Sequence, residues 1–111
     1  MIWITDRPWG KFATFAMNEK CTVKVITVDP GQKLSVQKHA NRDERWICLD
    51  EGLIATIEQK QISLSMVGEI FIPRGSIHTV ENRGIEPARF LEISYGEFDE
   101  NDIVRLSDKY G

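Results

Sequence analysis

Strand-length apolar runs recur along most of this 111-residue chain, and turn formers cut nearly all of them off before a helix could complete three turns. Residues 21–28 (CTVKVITV) are rich in β-branched side chains and alternate in polarity, as a half-buried strand does. Comparable runs occupy 34–39, 45–49, 53–58, 62–67, 70–72, 78–81 and 88–94. Between them fall Asp29-Pro30-Gly31, Asp50-Glu51-Gly52, Gln59-Lys60, Gly68, Pro73-Arg74-Gly75 and Asn82-Arg83-Gly84. A turn every roughly eight to twelve residues predicts an all-β sandwich or barrel. No convincing period of 3.6 exists outside a short turn near 99–103, which disfavours a parallel βαβ arrangement.

The length suits one core, so 1–111 reads as a single domain. Within it, 1–20 is a lead-in whose Trp3, Pro8, Trp9, Phe12, Phe15 and Met17 are apolar enough to be expected against one end of the barrel or an edge strand. The tail, 97–111, is more polar, with Ile103, Val104, Leu106 and Tyr110 available to pack it down and reach the mouth of a site. A net charge of −3 with scattered basic residues gives no footprint for nucleic acid. No apolar stretch is long enough to cross a bilayer, and the first residues do not form a leader, so a cytoplasmic protein is expected. Cys21 and Cys48 each lie in an apolar run and read as core thiols. An exposed sheet edge would need cover, and the default expectation is a homodimer.

The chain has two histidines, each among other good ligands. In Leu34-Ser35-Val36-Gln37-Lys38-His39 the period of a strand puts Ser35, Gln37 and His39 on one face, with Lys38 on the other. Glu44 follows a short turn and opens the next run, from which its carboxylate can face back. His78 follows the Pro73-Arg74-Gly75 turn, and a barrel could bring it across to the other three. An amide oxygen, a carboxylate and two imidazoles suit one borderline divalent ion: zinc, manganese, cobalt or iron. The bland reading leaves Gln37 and Glu44 on a solvated face and both histidines as ordinary polar residues.

Gly31 to Gly52 (GQKLSVQKHANRDERWICLDEG) resembles the first conserved motif of cupins, and Gly68 to Asn82 (GEIFIPRGSIHTVEN) resembles the second, with Pro-x-Gly-x-x-His-x-x-x-Asn intact. Asn41 stands where many cupins have a second histidine, but Leu-Ser-Val-Gln-Lys-His resembles the Leu-Ser-x-Gln-x-His segment of mannose-6-phosphate isomerases. Arg7-Pro8-Trp9-Gly10, Arg42-Asp43-Glu44-Arg45-Trp46 and the closing segment, Glu92 to Glu97, Asp102 to Arg105 and Asp108 to Gly111, extend the likeness to the type II phosphomannose isomerase domain. The resemblance implies a double-stranded β-helix, a jelly-roll-like barrel, with Gln37, His39, Glu44 and His78 as ligands of one divalent metal, zinc foremost, then manganese, cobalt, nickel or iron. In that family the domain usually follows a guanylyltransferase domain, of which this chain has no Gly-rich phosphate loop.

The implied reaction interconverts mannose 6-phosphate and fructose 6-phosphate through a cis-enediol. The small-molecule partner is then a sugar phosphate. With both histidines assigned to metal, Glu97, Lys33 or a metal-bound water are left to move the proton. For the phosphate, the rim candidates are Arg74, Arg42, Arg7 and Lys38, with Arg74 nearest a ligand in sequence. Trp9 and Trp46 line the pocket or fill core. Two readings compete: a cupin of another activity, such as an epimerase, decarboxylase or dioxygenase, and a non-catalytic metal- or sugar-binding module.

Overall fold

The computed structural model of the chain describes residues 3–107. The elements run β1 (Trp3–Arg7), β2 (Gly10–Thr14), β3 (Cys21–Val28), β4 (Val36–Lys38), β5 (Glu44–Cys48), β6 (Leu53–Ile57), β7 (Lys60–Ser63), α1 (Leu64–Val67), β8 (Glu69–Ile72), β9 (His78–Asn82), β10 (Ala88–Tyr95) and β11 (Val104–Ser107). Every strand pairing is antiparallel. One sheet has the order β3-β10-β5-β8 and the other β11-β4-β9-β6-β7. This is an all-β barrel, as the spacing of the apolar runs predicts, with the jelly-roll form that the resemblance implies.

Period-two alternation decides what lies between the sheets. In β10, Ala88 and Phe90 are fully buried, and Glu92 and Ser94 continue the same face. In β5 the inward face carries Glu44 and Trp46, both about 1% exposed. Leu53, Ala55, Ile72 and Val80 complete a core around Trp46 and Phe90, whose rings lie 4.7 Å apart. Lys24 belongs to the inward parity of β3, in step with Ile26 and Val28, and lies opposite Glu92.

Two local expectations give way. The run 62–67 is half strand and half helix: β7 stops at Ser63 and the chain turns into α1. Fully buried Leu64 is drawn into the core, and Gly68, at φ 77°, closes the turn by donating its N–H to Leu64 O at 2.8 Å. The turn expected at Gln59-Lys60 is one residue earlier, because Ile57 pairs with Lys60 and Glu58 takes the left-handed conformation at φ 57°. The short turn expected near 99–103 is present, closed by Asp102 N–H on Asp99 O at 3.0 Å.

The lead-in is a hairpin, not a cover. β1 and β2 form a two-stranded sheet of their own, with Tyr95 Oη donating to Phe15 O at 3.0 Å near its base. Trp3, Ile4, Trp9, Phe12 and Met17 stay exposed, because β1 and β2 pair with each other and with no strand of the barrel among the described residues. The tail packs down as a strand: β11 adds to the edge of β4, with Arg105 opposite Gln37. Asp108, Lys109, Tyr110 and Gly111 lie outside the described residues. Cys21 and Cys48 are half-buried free thiols, and Cys48 Sγ faces Asp50 O at 3.0 Å.

Candidate metal centre

Three elements bring four side chains to one end of the barrel. Gln37 in β4 is the cross-strand partner of His78 in β9, so both project from the same face of the sheet. His39 lies just past the end of β4, and Glu44 opens β5 on the opposite sheet. His39, Glu44 and His78 are all buried, and one ligand atom from each lies within 4.8 Å of the others. His39 Nε2 is 3.5 Å from Glu44 Oε2, and His78 Nε2 is 3.9 Å from Glu44 Oε1.

The second nitrogen of each ring explains why these edges face inward. His39 Nδ1 lies 2.6 Å from Asp102 O, and His78 Nδ1 lies 2.9 Å from Ser76 O. A carbonyl can only accept, so each Nδ1 carries a proton and each ring turns its Nε2 edge toward Glu44. Burial, foremost, holds the His78 pKa below the ordinary imidazole value, which keeps the ring in the form a metal needs. Gln37 Nε2 donates to Ser35 Oγ at 2.9 Å and to Ser35 O at 3.3 Å, which leaves the amide oxygen as its available donor atom for a cation. Two lone-pair nitrogens, a carboxylate and an amide oxygen fit a divalent ion with room for further oxygens.

Glu44 is held on both oxygens. Trp46 Nε1 donates to Oε1 at 3.1 Å, and Arg42 Nε donates to Oε2 at 2.9 Å. Arg42 is itself buried. Its Nη1 donates to Asp99 O at 3.2 Å, its Nη2 lies 3.2 Å from His39 Nε2, and its guanidinium stacks 4.6 Å over the Phe98 ring. Trp46 also meets His78 edge-on at 5.6 Å, so this Trp is both core and wall of the site.

The other sequence candidates are dispersed. Arg74 is exposed and binds Asp43, through its backbone N–H at 2.8 Å and its guanidinium at 3.4 Å, which ties the 73–75 turn to the start of β5. Burial works to raise the Asp43 carboxyl, but these Arg74 contacts outweigh it and hold it below the usual carboxylate range. Arg7 lies on the β1–β2 hairpin over Phe12, and Trp9 on the same hairpin is 73% exposed. Glu97 is an exposed carboxylate paired with Lys20. Lys33 bridges Glu81 through the backbone and lines a different hollow from the one over His39.

Two residues that the sequence reading passed over matter here. The Asp102 carboxylate accepts from Ala40 N at 2.8 Å and Asn41 N at 3.0 Å, so it fixes the 40–41 loop while its carbonyl sets the His39 tautomer. Burial opposes the charge on Asp102, yet those two N–H groups hold its pKa below the ordinary value. Glu92 is buried and lines a hollow of about 230 Å³ together with Gln37, His39, Arg42 and Phe98. Burial, then the charge of Glu44, push its carboxyl up to about 7. Its position two residues after buried Phe90 was the available signal. A larger hollow, about 480 Å³, lies at the opposite end between 50–52 and 84–87 and contains no imidazole.

Comparison with known proteins places this geometry. The profile of the family described as Mannose-6-phosphate isomerase C-terminal matches residues 3–108. Mannose-1-phosphate guanylyltransferase ManC of Salmonella typhimurium is 40% identical over 106 residues, covering 95% of this chain and 22% of that protein. The alginate biosynthesis protein AlgA of Pseudomonas aeruginosa is 38% identical over 106 residues, with the same shares. The chain thus spans about a fifth of the length of these curated relatives. In fold it resembles the capsular polysaccharide assembling protein CapF of Staphylococcus aureus, with a TM-score of 0.70 at 18% identity over 97% of this chain and 35% of that one. It also resembles the cupin domain of Schizosaccharomyces pombe Cnp3, with a TM-score of 0.65 at 14% identity over 86% and 65%. The barrel is a cupin double-stranded β-helix.

Proposed function

Because the chain belongs to the mannose-6-phosphate isomerase C-terminal family, we propose that it is a metal-dependent aldose–ketose isomerase interconverting mannose 6-phosphate and fructose 6-phosphate. The reaction removes a proton from C2 and delivers one to C1, while the C2 hydroxyl becomes a carbonyl and the C1 carbonyl becomes a hydroxyl. The observation that carries this reading is the pair of buried imidazoles, both presenting Nε2 to Glu44, beside a second buried carboxylate, Glu92, on the wall of the same hollow.

Gln37, His39, Glu44 and His78 would hold the ion, zinc foremost given the two imidazoles. When bound, a divalent ion supplies Lewis-acid polarisation of the sugar oxygens. Glu92 is the group placed to carry the proton, since it is a buried carboxyl on the wall of the hollow that Gln37 and His39 also line, and burial raises its pKa above the ordinary carboxylate value. Ser94 Oγ donates to Glu92 Oε1 at 3.4 Å and so orients that carboxyl. Asp102 and Ser76 hold the two imidazoles in place through their carbonyls.

The test is coupled formation of fructose 6-phosphate from mannose 6-phosphate by the purified chain with added zinc. Turnover abolished by chelator and by His78→Ala, and restored to the wild type by metal, is the expected result. Binding of the sugar phosphate without turnover would favour a non-catalytic module, and oxygen uptake with iron would favour a different cupin chemistry.

A further inference from the structure

The hollow over His39 has a rim that neither the sequence motifs nor the metal ligands account for. Lys24 reaches it from β3 and Arg105 from β11, and each of these is the edge strand of its own sheet. Phe98, from the segment joining β10 to β11, lies at the same rim with Lys24 Nζ 4.1 Å from its ring centre. Arg42, Arg45, Arg74, Arg83 and Arg89 all have a carboxylate within 4.0 Å. Among the described residues Arg105 and Lys24 have none, although Glu100 lies on the same rim. The registers fix their distance from the chemistry: Arg105 is opposite Gln37, and Lys24 is opposite Glu92. Two cations with no carboxylate within 4.0 Å among the described residues, lining one hollow with His39 and Glu92, make a place for an anion at the end of a small polar ligand.

We infer that Lys24 and Arg105 form the phosphate subsite of this hollow, gripping the phosphate monoester of a sugar whose other end lies against Gln37, His39 and Glu92. This deepens the isomerase reading and rests on it for the identity of the sugar, but the capture of phosphate does not depend on turnover. A hollow of about 230 Å³ is below the roughly 300 Å³ at which pockets for drug-sized ligands begin, and so suits a single sugar ring. Arg105 supplies a planar fork to two phosphate oxygens, and Lys24 supplies a point charge that its seat on Phe98 keeps near the rim.

The test is calorimetric titration of the zinc-supplemented chain with mannose 6-phosphate, with mannose and with inorganic phosphate. Lys24→Gln and Arg105→Gln should each weaken mannose 6-phosphate about tenfold, and the double variant further, because each removes a charge-assisted contact. Neither should alter the weaker binding of mannose, nor the unfolding temperature, and Arg105→Lys should recover part of the loss. Inorganic phosphate should compete for the wild-type site and lose that competition in the double variant. Arg83→Gln, remote on the surface, is the control for nonspecific charge. Wild-type affinity retained in the double variant, or a loss confined to Arg74→Gln, would overturn the subsite. If the phosphate-dependent losses appear while no fructose 6-phosphate is ever formed, the subsite stands and the isomerase reading falls.

Discussion

Strand β9 carries a buried polar side chain at each end, Asn82 at one and His78 at the other, and the two are treated differently by their surroundings. The Asn82 amide donates to Val28 O at 2.9 Å and Glu86 O at 2.7 Å, and its carbonyl accepts from Gly84 N at 2.8 Å. Gly52 packs so closely that an added Cβ would come 2.8 Å from that carbonyl oxygen. At this end the side-chain amide has partners for both its donor and its acceptor, and the result is a sewn turn. At the other end, His78 satisfies only Nδ1, while Nε2 faces Glu44 across 3.9 Å, beyond a hydrogen bond. A polar group that serves architecture closes its bonds, whereas one that serves a ligand keeps a lone pair aimed into space.

That contrast can be broken by exchanging the roles. His78→Ala should lower zinc affinity about a thousandfold, as loss of one ligand in four does, and cost the metal-free fold little. Competition with a chromogenic chelator measures it, and a zinc affinity equal to wild type would erase the distinction between the two ends. Asn82→Ala should do the reverse: about 3 kcal/mol of stability lost, because Val28 O and Glu86 O are left without partners, with zinc stoichiometry unchanged. Thermal unfolding should fall by more than about 10 °C.

The smallest effect sharpens the comparison through pH. Glu92, at the open end, has a folded pKa of about 7 against an ordinary 4.5, so between those values the folded chain holds a proton that the unfolded chain has released. Stability of the metal-free chain should therefore fall as pH climbs from about 4.5 through 7, then level off. Glu92→Gln should remove that slope and gain about 2 kcal/mol at pH 8 with no gain at pH 4. Denaturant titrations at the two pH values give the answer, and a variant that loses stability at both would mean that Glu92 is a structural partner of Lys24.

Most of the barrel could be read from residues because alternation is a local signal. β3, β5, β6, β9 and β10 follow runs such as CTVKVITV, and the convergence of His39, Glu44 and His78, with Gln37 in register beside His78, follows from which face each run buries. What escaped depended on partners distant in sequence. Aromatic residues at 3, 9 and 12 looked like core, but their burial depends on whether a hairpin has anything to lie against. Leu64 left its strand because the core needed its volume, which no window around 62–67 discloses. Arg74 and Glu97 looked available next to the site, yet Asp43 and Lys20, their partners, come from other turns. Glu92 and Lys24 were within reach of the same parity rule that placed Phe90 and Val28, whereas Arg105 became visible only once β11 was found beside β4.

The most direct measurement is an anomalous difference map from crystals of the zinc-loaded chain, collected on either side of the zinc absorption edge. The account predicts one peak per chain about 2.0–2.2 Å from Nε2 of His39, Nε2 of His78 and a carboxylate oxygen of Glu44. A peak on an Nδ1 atom, at the far end of β9, or away from these three side chains would contradict it.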